Sequence, residues 1–266
     1  MRRCLHTYKL LILLALLPFT SYAVDMEEIA EGGRIYDKWW VEMELSKPTT
    51  THSAYPKAGK QTGANTSRCK ECHGWDYRGR EGAYSKGSHF TGIKGIQAYS
   101  GGSENKVFEI LKDKNHQYDK VMLDGALKTV AKFVVHGQID MAKYIDAKSK
   151  KVNGNARKGK TLFRDNCADC HNKDGRAFNL AHDDGVTEYI GTIANKNPWE
   201  TLHKVRNGHP GAEMTMSKMH SGGGMGMGMG MGRSWRVGDE MPAMLTELNE
   251  QQQVDLLTYL QALPKK

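Results

Sequence analysis

Beyond residue 23 the sequence has no cysteine to spare. Cys4 sits in the N-terminal stretch, and the other four, Cys69, Cys72, Cys167 and Cys170, are all used in two short motifs. Nothing remains for a structural disulfide, even in a compartment that permits one. Long apolar runs are also scarce. The run Leu10 to Leu17 is shorter than the roughly 20 residues a spanning helix needs, and no later stretch is longer. Excess charge is small as well: losing Arg2, Arg3 and Lys9 from the 38 basic residues leaves them only five ahead of 30 acidic ones. Nucleic-acid binding calls for a concentrated basic face with interleaved aromatics, and such a partner is not expected.

The first 23 residues themselves are informative. Arg2, Arg3 and Lys9 precede the apolar run, Pro18 follows it, and Ser21-Tyr22-Ala23 gives a small-x-small ending. This is the pattern of a secretory signal peptide with cleavage after Ala23. Residues 1–23 are therefore expected to be removed, Cys4 with them, and the mature chain to be exported to the periplasm without a transmembrane segment.

The four remaining cysteines form C-x-x-C-H twice, as Cys69, Cys72, His73 and as Cys167, Cys170, His171. This pentapeptide is a haem-attachment signature: two thiols add across the porphyrin vinyl groups and the adjacent imidazole binds iron. One helical turn presents both sulfurs to one porphyrin edge and the next residue to its centre. Two C-x-x-C pairs could also build a four-thiolate zinc site, but these lie 98 residues apart and each carries its own His. A redox dithiol does not account for two copies with His in the same place. Two haem c groups are the expected cofactors.

With these motifs the sequence resembles the dihaem cytochromes c made of two class I domains in tandem. The resemblance implies an all-α fold, each domain wrapped around one covalently bound haem. It assigns attachment to Cys69, Cys72, Cys167 and Cys170, and proximal ligation to His73 and His171. The domains divide as 24–146 and 156–266, joined by a polar, basic linker at 147–155. In the second, "NARKGKTLFRDNCADCH" puts Gly159 and Phe163 on one helical face, and "LNEQQQVDLLTYLQALP" carries Val254, Leu256, Leu257 and Leu260 in apolar stripes. A glycine within a helix costs about 1 kcal/mol relative to alanine, which points to close crossing by that final helix. The first domain repeats the parts with Gly32 and Tyr36, and with Leu127, Val130, Ala131 and Val134. Between its helix and its motif stands an insertion, 41–67, rich in turn formers and expected as a surface loop across the haem or the domain interface.

The opposite face of each iron decides the chemistry, since Met raises the potential and an open position admits substrates. Class I domains take Met from a loop before the C-terminal helix, which indicates Met122 in the first domain, with His116 as the alternative and Met141 beyond the helix. In the second, Met241-Pro242 resembles the Met-Pro ligand loop. Met214 matches internal spacing, lying 17 residues after Asn197 as Met122 lies after Asn105; Met244 and His209 are further alternatives. The tract Ser221 to Trp235, in which Gly and Met alternate, lies within a Met/Gly-rich loop 215–235 and reads as a flexible tract, or as a soft Cu(I) site or adaptable docking surface.

Trp75, Tyr77, Trp199 and Tyr259 are expected to pack on haem or meet its carboxylates, and Asp183 and Asp184 to form a turn. His52, His89, His136, His182, His203 and His220 show no partner spacing. The leading expectation is an exported carrier moving single electrons between a dehydrogenase upstream and an oxidase or reductase downstream. The alternative is a dihaem oxidoreductase enzyme similar to thiosulfate dehydrogenases, which "HKVRNGHPGAEM" resembles. That group uses an axial thiolate, and the expected mature chain has no cysteine to supply it outside the motifs.

Overall fold

A computed structural model of the chain describes residues 25–181, 186–210 and 241–265. The signal-peptide stretch, His182, Asp183, Asp184, Met214, His220 and the Gly/Met tract lie outside them. Among the described residues the architecture is all-α, with only isolated β-bridges.

Helix α1, Met26–Glu42, starts where the Asp25 carboxylate accepts the backbone N–H groups of Glu27 and Glu28 at 3.0 and 3.4 Å. Its inner face, including Ile29, Gly32, Gly33 and Tyr36, is buried. It packs against α4, Asp124–Lys132, whose last turn widens into a π-helical turn at Phe133–Gly137. Gly32 permits the crossing: a Cβ there would lie 2.4 Å from the Thr129 carbonyl oxygen. Between them in sequence come α2, Cys69–His73, and α3, Glu104–Leu111.

The second unit repeats the device. Helix α5, Ala156–Asn166, is capped by Asn155 and crosses α9, Glu250–Leu260, at Gly159, where a Cβ would lie 2.0 Å from the Asp255 carbonyl oxygen. Reciprocal hydrogen bonds between Asn249 and Gln252 form a capping box at the start of α9. Val254, Leu256, Leu257 and Leu260 form its buried face. The Asp255 carboxylate also accepts the Asn155 N–H at 2.8 Å, tying the start of α5 to α9. Helices α6, Ala168–His171, α7, Ile190–Lys196, and α8, Pro198–Asn207, complete the unit. The connecting segment is an exposed tight turn closed by a bridge between Ile145 and Val152.

Helix α8 holds the two units together. It contacts α7 and α9 in its own unit and α1 in the other. Gly33, next to the glycine that receives α4, receives the Asn207 side chain of α8. His203 is fully buried, with Tyr77 Oη 2.9 Å from its Nδ1 and the Gly33 carbonyl 3.0 Å from its Nε2. These partners define one tautomer: Nε2–H donates to the carbonyl and Nδ1 accepts from the tyrosine. The Arg206 guanidinium crosses the same seam to the Gly137 carbonyl at 3.2 Å.

Burial pushes His203 down to about 4, against the pull of Asp37. The unfolded chain, with imidazole near its ordinary 6.5, then binds more protons than the folded chain between pH 6.5 and 4. The neutral ring's contribution is present above pH 6.5 and is lost as pH falls to 4, at a cost of about 3 kcal/mol. Denaturant unfolding at pH 7.5 and 4.5 should show His203→Gln losing less stability with acid than wild type. Parallel losses would contradict this.

Candidate functional site

Helix α2 is one turn long. It ends at Gly74, whose φ of 80° suits a residue without Cβ and redirects the chain so that Trp75 enters the core. Cys69 is buried and Cys72 half-buried; burial pushes their thiols up to about 11 and about 12. Both line a cavity of about 430 Å³ with His73. Its walls are largely apolar, built from Ile96, Val107, Leu111, Val130 and Val134, while Arg68 and Thr66 supply polar groups.

His73 is oriented by its outer nitrogen, with Nδ1 2.8 Å from the Lys94 carbonyl. Nδ1 therefore carries the proton and Nε2 keeps its lone pair. Burial holds this ring down at about 4 despite the bond to Lys94, so it is a neutral donor at physiological pH. Across the cavity stands His116. The two ring centroids are 6.2 Å apart and the planes differ by 20°. Metal–imidazole bonds of roughly 2.0 Å on each side, with the ring half-widths added, put two imidazoles sharing one ion at about this separation. Two thiols on the cavity wall, near-parallel imidazoles 6.2 Å apart and an apolar lining fit a covalently held haem.

The insertion covers this arrangement. After α1 ends at Glu42 the chain loops to a 3₁₀ turn at Gly63–Ser67. His52, in this loop, lines the cavity and places Nε2 3.1 Å from the His116 carbonyl oxygen. Its own N–H donates to Thr66 Oγ1 at 2.8 Å. Ser67 O accepts from Trp39 Nε1 and Tyr118 Oη, both at 2.9 Å, which joins the loop to α1 and to the segment carrying His116. Met122 is buried, but it is not part of the cavity lining; its N–H donates to the Tyr118 carbonyl at 2.8 Å. Met141 is fully buried and likewise lies off the cavity.

In the second unit Cys167 ends α5, its N–H bonded to the Phe163 carbonyl at 2.8 Å, and α6 carries Cys170 and His171. Burial pushes the Cys167 thiol up to about 12 and His171 down to about 4. The His171 ring meets Phe178 edge-on at 5.5 Å. Met241 is half-buried, its backbone bridged to His209. Met244 is buried and its N–H donates to the Val205 carbonyl at 3.0 Å. Both methionines are thus anchored to the C-terminal end of α8.

Trp75 and Tyr77 turn away from the cavity into the seam between the units. The Trp75 ring lies 5.0 Å from His203 and within 5.7 Å of the charged ends of Arg68, Lys70 and Lys204. His203 and His52 carry structural roles that no motif spacing signalled. The Asp113-x-x-His116 pair was legible in principle, because residues three apart share a face of a turn.

A thiol pair and an imidazole on one short turn are the arrangement of covalent haem attachment. Residues 156–264 match the family model for cytochrome c. The second unit is therefore a cytochrome c domain, which implies at least one haem c, electron transfer and redox protein partners. The match does not extend to the first unit. No curated protein and no solved structure matches the chain. No described helix is long and apolar enough to cross a membrane.

Proposed function

We propose that the protein is an exported carrier of single electrons with one haem c in each unit, the first held by Cys69, Cys72, His73 and His116 and the second by Cys167, Cys170, His171 and Met241. The observation that carries this reading is the near-parallel His73 and His116 pair, 6.2 Å apart in a thiol-edged cavity, in a unit whose α1 and α4 cross as α5 and α9 cross in the cytochrome c domain. Preferring His116 to Met122 is supported by the cavity lining, which includes the former and not the latter. Choosing Met241 rests on its place just before α9, held against His209. Residues 1–23 would direct the chain to the periplasm and be removed there, where a dehydrogenase and an oxidase or reductase are the expected partners.

When bound, each haem supplies an iron that changes by one electron without a change in its ligands. The chain supplies the rest. Lys94 and Asp113 hold the outer nitrogens of His73 and His116, so both inner nitrogens remain donors. The 41–67 loop is tied to the His116 segment through His52, which meets the His116 carbonyl, and through Ser67, which accepts from Tyr118. Protein donors on both faces suit electron transfer rather than substrate binding.

Mass spectrometry of the mature protein should show two covalently added haems and a start after Ala23. Spectra should show one bis-imidazole haem and one with the Fe(III)–thioether band, and neither reduced haem should take up CO. Ready CO uptake by one wild-type haem would favour the enzyme reading instead.

A further inference from the structure

The two imidazoles facing the first cavity differ in what holds them. His73 donates from Nδ1 to a neutral carbonyl, that of Lys94. His116 Nδ1 lies 3.0 Å from Oδ1 of Asp113, a carboxylate. The same oxygen accepts the backbone N–H groups of Asn115 at 2.8 Å and His116 at 2.9 Å. An aspartate is ionised at neutral pH, and here one oxygen gathers three donors from one turn.

We infer that Asp113 is a positioning residue that lowers the reduction potential of the first haem by polarising His116. A carboxylate accepting the outer N–H of a ligating imidazole fixes its tautomer and raises its basicity. A stronger donor stabilises Fe(III) over Fe(II). The couple remains a one-electron change at iron, and no proton need leave the His116 Nδ1. The turn gives the carboxylate a second role: by capping two backbone N–H groups it aims His116 across the cavity at His73. The side chains of Asp113 and His116 are 37% and 27% exposed, so solvent weakens the effect without removing it. The inference rests on His116 being the sixth ligand.

The test is a redox titration with EPR on the intact two-haem protein and its Asp113→Asn and Asp113→Glu variants. The amide of Asp113→Asn keeps an oxygen for the two backbone N–H groups and removes only the charge. Its first haem should remain six-coordinate and low-spin, with a midpoint shifted to more positive values and an altered low-spin EPR signal. The second haem should not move. Asp113→Glu, which keeps a carboxylate, should retain a lower potential than Asp113→Asn. Equal potentials in wild type and both variants, with both haems still low-spin, would overturn the inference while leaving the ligand assignment intact. A thioether band from both wild-type haems would overturn the assignment itself.

Discussion

His116→Ala should open one of the two proposed haems to CO and leave the other closed. The side chain removed is the one facing His73 at 6.2 Å, and the loop above it offers no equivalent group already aimed at the ring centre. His52 is the nearest substitute, but its Nε2 is engaged by the His116 carbonyl and its segment is pinned through Thr66. The expected readout is appearance of a high-spin ferric signal from one haem, with the other unchanged. Met122→Leu is the companion variant. It conserves volume at a buried site away from the cavity, and such swaps cost less than about 1.5 kcal/mol. It should leave both haem spectra as they are. A Met122 variant that opens a haem, beside an unaltered His116→Ala, would reverse the assignment.

The second large effect belongs to the helix crossing. In Gly159→Ala the new methyl would sit 2.0 Å from the Asp255 carbonyl oxygen, and that contact is backbone, so no side chain can swing aside. Helix α9 would have to move away from α5, disturbing the Phe163 and Tyr259 rings packed 5.5 Å apart beneath the crossing. Overpacking of this kind costs about 1–3 kcal/mol, occasionally more. The upper end is expected, read as a drop in denaturation midpoint. Gly125→Ala provides the contrast. It lies in the first turn of α4, where an added methyl would meet nothing within 4 Å, and alanine in a helix gains up to about 1 kcal/mol over glycine. It should be neutral or stabilising.

Much of the fold was legible because it repeats. The two C-x-x-C-H motifs and the spacings of Gly32 with Tyr36 and Gly159 with Phe163 point to helix crossings, and the crossings occur at Gly32 and Gly159. Which side chain of the first unit faces His73 was less legible. Met122 and His116 lie six residues apart in one loop, and sequence distance does not say which side chain the loop turns inward. That turning depends on Asp113 capping the backbone and on His52 reaching from the inserted loop, 64 residues away. The role of His203 was hidden for another reason. Its partners, Tyr77 and Gly33, are 126 and 170 residues distant, and a lone imidazole on a helix carries no periodic signature.

The neighbouring glycines Gly32 and Gly33 give α1 two grooves, one for α4 and one for α8. Cutting the chain at the exposed turn near residue 150 would therefore not release two independent cytochromes: the N-terminal fragment would keep an empty groove beside Tyr77, and the C-terminal fragment an uncovered helix bearing His203 and Arg206. During synthesis the first groove can be filled about a hundred residues after it emerges, whereas the second must wait for residues 198–207. The N-terminal half thus completes its packing only when most of the polypeptide has been made.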